Sequence, residues 1–446
     1  MGDPLAPSEC EGNRERGKYM LVIISDLHFT DGTTSNWAGS KDLFNVNPDA
    51  FKLFFAKISN IVARRGTIRK VTVLYNGDIF DPLRTQEWFN INHNDHPWSI
   101  PVNREKVHKK CLEILHKIVE HNEEALLWLS GAHNDFNSVW KADSDIERVY
   151  IPGNHDRIIN LYKPCRELVH QNLLGRRNSR RFNNLYVAQE HQTLVMHGHE
   201  SDPFNCEYHE NGDPNYALVP IGDPMTTMLF VRLGYEAQGL SIPEEAKRGF
   251  REVDNVRPAL SVVRYVQDVI KDYKIASKVE PMMGKVVSEF EALPFYRQWQ
   301  KRHDRWNVGY DEADKLQVAL RALKLLGASV PAGVLERLAA LVRDEACQNW
   351  AKRNLESVLG RDMRYCVLGH THEPLHCPLF VDEYRSMEKH YLNSGTFRTT
   401  YAQTFDKQSF LRHQRMSFVI IYGPNEFSRG DEIPAYEMWS GLRMHH

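Results

Sequence analysis

The stretch Tyr19-Met20-Leu21-Val22-Ile23-Ile24-Ser25-Asp26-Leu27-His28 decides the reading of this chain. Six apolar or aromatic residues follow one another without alternation, and Val22, Ile23 and Ile24 are β-branched. That pattern, ending in a polar loop, predicts a buried strand. The run ends at Ser25, and the residues just beyond it, Asp26 and His28, are types that ligate metals.

The same grammar recurs along the chain. Val71-Thr72-Val73-Leu74-Tyr75 predicts a second strand, and shorter ones are expected at Val149-Tyr150-Ile151, Leu185-Tyr186-Val187 and Thr193-Leu194-Val195-Met196. Between them Phe51, Phe55, Ile58 and Val62 fall on one helical face, as do Val107, Cys111, Ile114 and Ile118. Strand and helix alternate, so the class is α/β. From roughly Pro224 to Leu359 the pattern turns helical. Leu260, Val263, Ile270 and Tyr273 mark one helix, with Pro258 near its start. Leu316, Leu320 and Leu323 mark another, ended by Gly327 and Pro331, and Leu335, Leu338 and Val342 a third. Strands return at Tyr365-Cys366-Val367-Leu368 and Ser417-Phe418-Val419-Ile420-Ile421-Tyr422. The expected organisation is a polar tail over 1–18, a core over 19–203 and 360–446, and a mainly helical insertion over 204–359.

Composition narrows the partners. Of 446 residues, 42% are hydrophobic and 26% charged, as in ordinary globular chains. The net charge of −2 supplies no global field for nucleic acid or anionic membrane. No apolar run approaches the roughly 20 residues that span a bilayer, and no apolar segment follows the N-terminus as in a signal peptide. Seven scattered cysteines without a CxxC pair argue against a disulfide framework or cysteine zinc site and suit the cytoplasm.

Five segments carry the chemistry: Ser25-Asp26-Leu27-His28, Asn76-Gly77-Asp78-Ile79-Phe80-Asp81, Gly153-Asn154-His155-Asp156, His197-Gly198-His199 and Gly369-His370-Thr371-His372. Each lies just beyond an expected strand, and strand ends of an open α/β sheet converge on one crevice. Any one of them alone reads as a polar turn, but five in series do not. Mixed oxygen and imidazole donors suit Mn²⁺, Fe²⁺ or Zn²⁺ better than Ca²⁺.

This ordered set resembles the calcineurin-like metallophosphoesterase superfamily, over roughly 19–203 and 360–422. The resemblance implies a four-layer α/β/β/α sandwich with two divalent cations at its strand ends: Mn²⁺ first, with Fe²⁺, Zn²⁺ or Mg²⁺ as alternatives. It assigns Asp26, His28 and His372 to one metal and Asn154, His197 and His370 to the other, with Asp78 bridging both. It makes His155 the residue that acts on the phosphoryl group or leaving group, and Asp81 its orienting carboxylate. The implied reaction is attack on phosphorus by a hydroxide held between cations about 3.5–4 Å apart.

The substrate is less sharply marked. The segment 197–202 (His-Gly-His-Glu-Ser-Asp), with Gly369-His370-Thr371-His372-Glu373-Pro374 and Asn393-Ser394-Gly395-Thr396, is similar to the UDP-2,3-diacylglucosamine hydrolase group. That group commonly carries arginine at the position of His155, aspartate at that of His199, and no large helical insertion, so its lipid substrate is not carried over. Pro82-Leu83 and Asp156 depart from the Arg-Gly and Glu of the superfamily's protein phosphatases. The expected substrate is a small phosphorylated molecule with a phosphodiester or pyrophosphate bond, nucleotide-like in character. A nuclease is the alternative, but Arg64-Arg65, Arg176-Arg177 and Arg180-Arg181 are the only dense basic spots and read as solvated loops. A phosphomonoesterase and a non-catalytic scaffold rank lower. Arg84, Arg157 and His199 are candidate substrate contacts. The helical region is expected to cap the site, pair two copies of the chain or dock a partner.

Overall fold

A computed structural model describes residues 18–34, 46–257, 261–304, 311–325, 345–406, 408–423 and 435–444. The expected tail up to residue 17, Pro258, Leu260, Gly327, Pro331 and the helix marked by Leu335, Leu338 and Val342 lie outside them.

Two sheets form the frame. In the first, β1 (Lys18–Ile24), β2 (Ile68–Asn76) and β3 (Asp145–Ile151) run parallel, with Val22 opposite Val73 and Leu74 opposite Val149. The order continues from β1 through the antiparallel β11 (Phe410–Tyr422) to β10 (Thr399–Gln403) and the two-residue β6 (Val256–Arg257), while β12 (Tyr436–Met444) also pairs with β11. The second sheet has the order β4 (Leu185–Ala188), β5 (Thr193–Met196), β7 (Tyr365–Leu368), β9 (Met387–Asn393), β8 (Leu375–Asp382), with β5, β7 and β9 parallel.

The pleat of β1 explains the layering. Met20, Val22 and Ile24 face the helices Pro48–Arg65 and Arg104–His121, where Phe51, Phe55, Ile58, Cys111 and Ile114 complete the cluster. Leu21 and Ile23 face the second sheet and meet Val195, Val367 and Leu392. The outer face of that sheet, Leu194, Cys366 and Leu368, is covered by Cys347, Ala351 and Leu355 of the helix Glu345–Glu356. Helix, sheet, sheet and helix thus stack as an α/β/β/α sandwich. Each large apolar side chain fully buried in these layers is worth about 1.5–3 kcal/mol. The first helix also closes well at both ends. The Asn47 side chain accepts the Asp49 amide at 2.9 Å, Pro48 opens the first turn, and Gly66, at φ 64°, takes the left-handed C-cap.

Residues 222–303 are mainly helical, as expected, with β6 as an exception that adds to the edge of β10. A π-helical turn at Met225–Val231, a geometry often found at functional sites, brings Phe230 and Val231 to a small cleft that Arg84 and Asp254 also line. Among the described residues no helix is long and apolar enough to cross a membrane.

Candidate metal centre

The parallel strands of both sheets end at one place. Asp26 follows β1, Asp78 follows β2, Asn154 follows β3, His197 follows β5 and His370 follows β7, so the five segments meet although they span residues 26–372. The backbone there is unusual. Asp26, His28, Asp78, His370 and His372 all have positive φ, between 48° and 70°. A non-glycine residue in that region costs about 1 kcal/mol or more, and such outliers gather where function holds them. Two glycines make room. A Cβ on Gly77 (φ 78°) would overlap the His197 ring, and one on Gly153 would overlap the Asp78 carboxylate.

Neighbouring groups hold the turns. Thr396 Oγ1 donates to Asp26 O at 2.6 Å, Ser25 Oγ meets Ser394 Oγ at 2.7 Å, and Asn393 Nδ2 donates to Gly369 O at 2.7 Å. The Asn393–Thr396 segment thus braces the ends of β1 and β7. Asp156 accepts the amides of Ile79 at 2.9 Å and Gly153 at 2.5 Å, tying the loop after β2 to the loop after β3.

Two donor groups result. Asp26, His28 and His372 present ligand atoms all within 4.8 Å of one another, and so do Asp78, His197 and His370. Asp78 Oδ2 lies 3.2 Å from His197 Nε2 and 3.7 Å from His28 Nε2, so it stands between the two groups. Three of the four imidazoles are fixed from behind. His28 Nδ1 donates to Asp81 Oδ2 at 2.9 Å, His197 Nδ1 to Asn76 O at 2.8 Å, and His370 Nε2 to Asp202 Oδ2 at 3.1 Å. These bonds spend the one proton of each neutral ring and leave the other nitrogen's lone pair facing the centre.

That arrangement tests whether a cation fits. His197 Nε2 then faces the Asp78 carboxylate, and His370 Nδ1 faces Asn154 Oδ1 at 3.1 Å, acceptor against acceptor. Among the described residues Asp26 Oδ1 and His197 Nε2 are buried without a hydrogen-bond partner. Acceptors so placed need a proton or a metal ion between them. Without a metal, protons do this work. Burial alone would raise Asp26, Asp78 and Asp81, but the surrounding imidazoles hold all three below the ordinary carboxylate range. Burial would lower His155 and His197. Asp81 and Asp78 instead raise His155 to about 9, and Asp78 raises His197 to about 10. Burial and the Arg257 charge push His372 down to about 3. A divalent ion entering this cluster displaces protons from it.

His155 sits beside the two groups. Its Nδ1 donates to Asp81 Oδ1 at 2.9 Å, its amide donates to Asp78 Oδ1 at 2.9 Å, and its ring stands edge-on to His28, centroids 4.7 Å apart. The three residues expected to contact substrate lie otherwise. Arg84 is buried, ion-paired with Asp254, and its Nε lies 3.8 Å from Asp81 Oδ2. Arg157 is buried and donates to Asp223 Oδ2 at 2.8 Å and Tyr216 O at 3.1 Å. His199 is buried beside His197 and Tyr216, and burial lowers it to about 4. Glu200 accepts the Gly198 amide at 2.9 Å and the Tyr216 hydroxyl at 2.9 Å.

Sequence reasoning does not find Arg257. It comes from β6, 115 residues before His372 in the chain, and its Nη2 lies 2.8 Å from His372 Nδ1. No spacing or motif marks it.

Residues 19–224 match the family model for calcineurin-like phosphoesterase, a stretch that includes the motif segments through His197 and ends before His370 and His372. No curated protein matches the chain. Over residues 19–224 the chain is therefore similar to the calcineurin-like phosphoesterases, a family that uses a dinuclear metal centre, and that domain indicates a metal-dependent hydrolase of phosphoric ester bonds.

Proposed function

We propose that the protein hydrolyses a phosphodiester or pyrophosphate bond in a small, nucleotide-like molecule. Asp26, His28 and His372 hold one divalent cation, Asn154, His197 and His370 hold a second, and Asp78 bridges them. The observation that carries this reading is the set of inward lone pairs that face other acceptors: His197 Nε2 toward Asp78, and His370 Nδ1 toward Asn154 Oδ1. When bound, the cations polarise the phosphoryl oxygens and lower the pKa of water, so that a nucleophile exists near neutral pH.

The chain's own residues do the rest. His28, His197 and His370 keep their outer protons on Asp81, Asn76 and Asp202, which fixes the ring planes. Asp81 holds His155 by Nδ1, leaving Nε2 to donate to a phosphoryl oxygen or to the departing oxygen. In the metal-free site burial lowers His155 but the Asp81 and Asp78 carboxylates raise it, so there the ring holds a proton on both nitrogens. The oxygen and nitrogen donor set favours Mn²⁺. Arg257 and Asp223, both from the helical stretch, stand at the centre's edge, which favours a small substrate over a duplex. The scattered cysteines favour a cytoplasmic setting.

The test is turnover of bis(p-nitrophenyl) phosphate with Mn²⁺ and with chelator, beside Asp78→Asn and His155→Ala. Metal-dependent activity that falls in both variants supports the proposal. Activity unchanged in Asp78→Asn sinks the assignment.

A further inference from the structure

Arg84 and Arg157 are each matched to a buried or half-buried carboxylate, Asp254 and Asp223. Arg257 is not. Among the described residues its hydrogen-bond partners are the carbonyl oxygens of Asp254 and Val256, both 2.9 Å from Nη1, and the His372 ring, which lies 2.8 Å from Nη2. Among the described residues no carboxylate forms an ion pair with it, although Asp26, Glu373 and Asp78 act on its charge from farther away. The short strand β6 carries it, held at the sheet edge where Val256 and Arg257 pair with Tyr401 and Ala402. The Arg84 ion pair to Asp254 and the Arg84–Asn255 hydrogen bond of 3.3 Å pin the turn just before it. The guanidinium is therefore positioned by structure on both sides, with no ion pair of its own among the described residues.

Proton bookkeeping sharpens the point. A neutral imidazole has one proton. His372 Nε2 points inward, 3.3 Å from Asp26 Oδ1 and 3.0 Å from His28 Nε2. If Nε2 is a ligand, Nδ1 must carry the proton and can no longer accept from Arg257. Arg257 Nη2 also lies 3.2 Å from His372 Nε2, so a cation held by that nitrogen would sit close to the guanidinium, and Nη2 would need another acceptor than the ring. His155 also borders the His28 ring, edge-on to it. A fixed, unpaired guanidinium at such a place suits a tetrahedral oxyanion, which it can grip with two parallel N–H bonds.

We propose that Arg257 is a substrate-binding residue of the phosphoesterase centre: its guanidinium takes a non-bridging phosphoryl oxygen, or the second phosphate of a pyrophosphate. This rests on the dimetal reading above and adds to it a residue from the helical stretch. It also makes the centre incomplete without that stretch.

The experiment measures binding of inorganic phosphate to the Mn²⁺-loaded protein by calorimetry, for wild type, Arg257→Ala and Arg257→Lys, with bound Mn²⁺ counted in each. Turnover of bis(p-nitrophenyl) phosphate is followed with and without added guanidinium ion. Binding of two Mn²⁺ and turnover by wild type establish the underlying reading before the variants are compared. The expected result is two Mn²⁺ per chain in all three proteins, phosphate affinity at least tenfold weaker in Arg257→Ala, and partial recovery of its turnover by guanidinium. Arg257→Lys keeps the charge without the fork and falls between. Unchanged phosphate affinity in a folded, metal-loaded Arg257→Ala overturns the proposal. Loss of Mn²⁺ from that variant also overturns it, because Arg257 then acts through His372.

Discussion

Asp81 divides its carboxylate between two histidines: Oδ1 accepts from His155 Nδ1 and Oδ2 from His28 Nδ1, each at 2.9 Å. One side chain, fully buried, therefore orients both a proposed metal ligand and the proposed proton donor. Asp81→Asn keeps the shape but loses the charge, and one of its two arms becomes a donor facing a donor. Turnover is expected to fall on the order of 100-fold, and Mn²⁺ affinity roughly tenfold or more through His28. Steady-state kinetics at saturating metal, beside a metal titration, separate the effects. A variant that loses neither leaves Asp81 a structural residue only.

His155 can act by stabilising charge or by giving a proton to the leaving oxygen, and the leaving group distinguishes them. p-Nitrophenolate departs without a proton, while an alkoxide needs one. If His155 is the acid, His155→Ala should lose about 10²–10⁴-fold on an alkyl ester and much less on the p-nitrophenyl ester. Equal losses on both esters mean that it serves the phosphoryl oxygens instead. Both measurements are single-variant rate comparisons, with Mn²⁺ binding as the control for folding.

Much of this architecture is legible in the chain because it is local. The unbroken run 19–24 announces a buried strand, and the fold then turns Met20 and Leu21 to different layers. The donor residues are legible because each stands directly beyond its strand, where parallel topology must bring it to the common edge. What escapes is long-range. Asp202 reads as either solvated or supportive until the fold sets it 3.1 Å from His370, 168 residues away. The second oxygen of Asp81 finds His28 only once β1 and β2 are aligned. β6 is two residues long, and no periodicity exists in two residues, so Arg257 has no sequence signal at all. β8 alternates irregularly and is half exposed, with a register shift between Pro378 and Phe380, and gives little pattern to read.

Gly77 tests how tightly the centre is built. Its φ of 78° favours glycine, and the space its missing side chain leaves is filled by the His197 ring. Gly77→Ala adds left-handed strain, about 1 kcal/mol, and a clash that must move His197 or the β2 end. Stability should drop by roughly 1–3 kcal/mol, and metal affinity should fall with it because His197 cannot keep its bond to Asn76 O. Gly66→Ala is the matched control. It has the same left-handed backbone, at φ 64°, and no atom near its Cβ, so it should cost stability but leave metal binding intact. If both variants bind metal alike, the close approach at Gly77 does not set the site.

His191 predicts part of the acid sensitivity of the fold. It lies in the turn before β5 and is buried, and among the described residues neither ring nitrogen makes a well-formed hydrogen bond, the Tyr19 backbone being only a weak partner. Burial lowers it to about 4, and the backbone at Tyr19 compensates only in part. A lowered histidine is neutral in the native state while the unfolded chain takes up a proton below about 6.5. Stability from this group is therefore whole above that pH and is lost as pH falls toward 4, at about 1.4 kcal/mol per pH unit and to a limit of about 3 kcal/mol. His191→Met removes the titration and keeps an apolar side chain in the space. Thermal melts at pH 7.5 and 5.0, both in chelator so that metal loading does not enter, should show a smaller loss for the variant than for wild type. Equal losses would place the acid sensitivity in other groups.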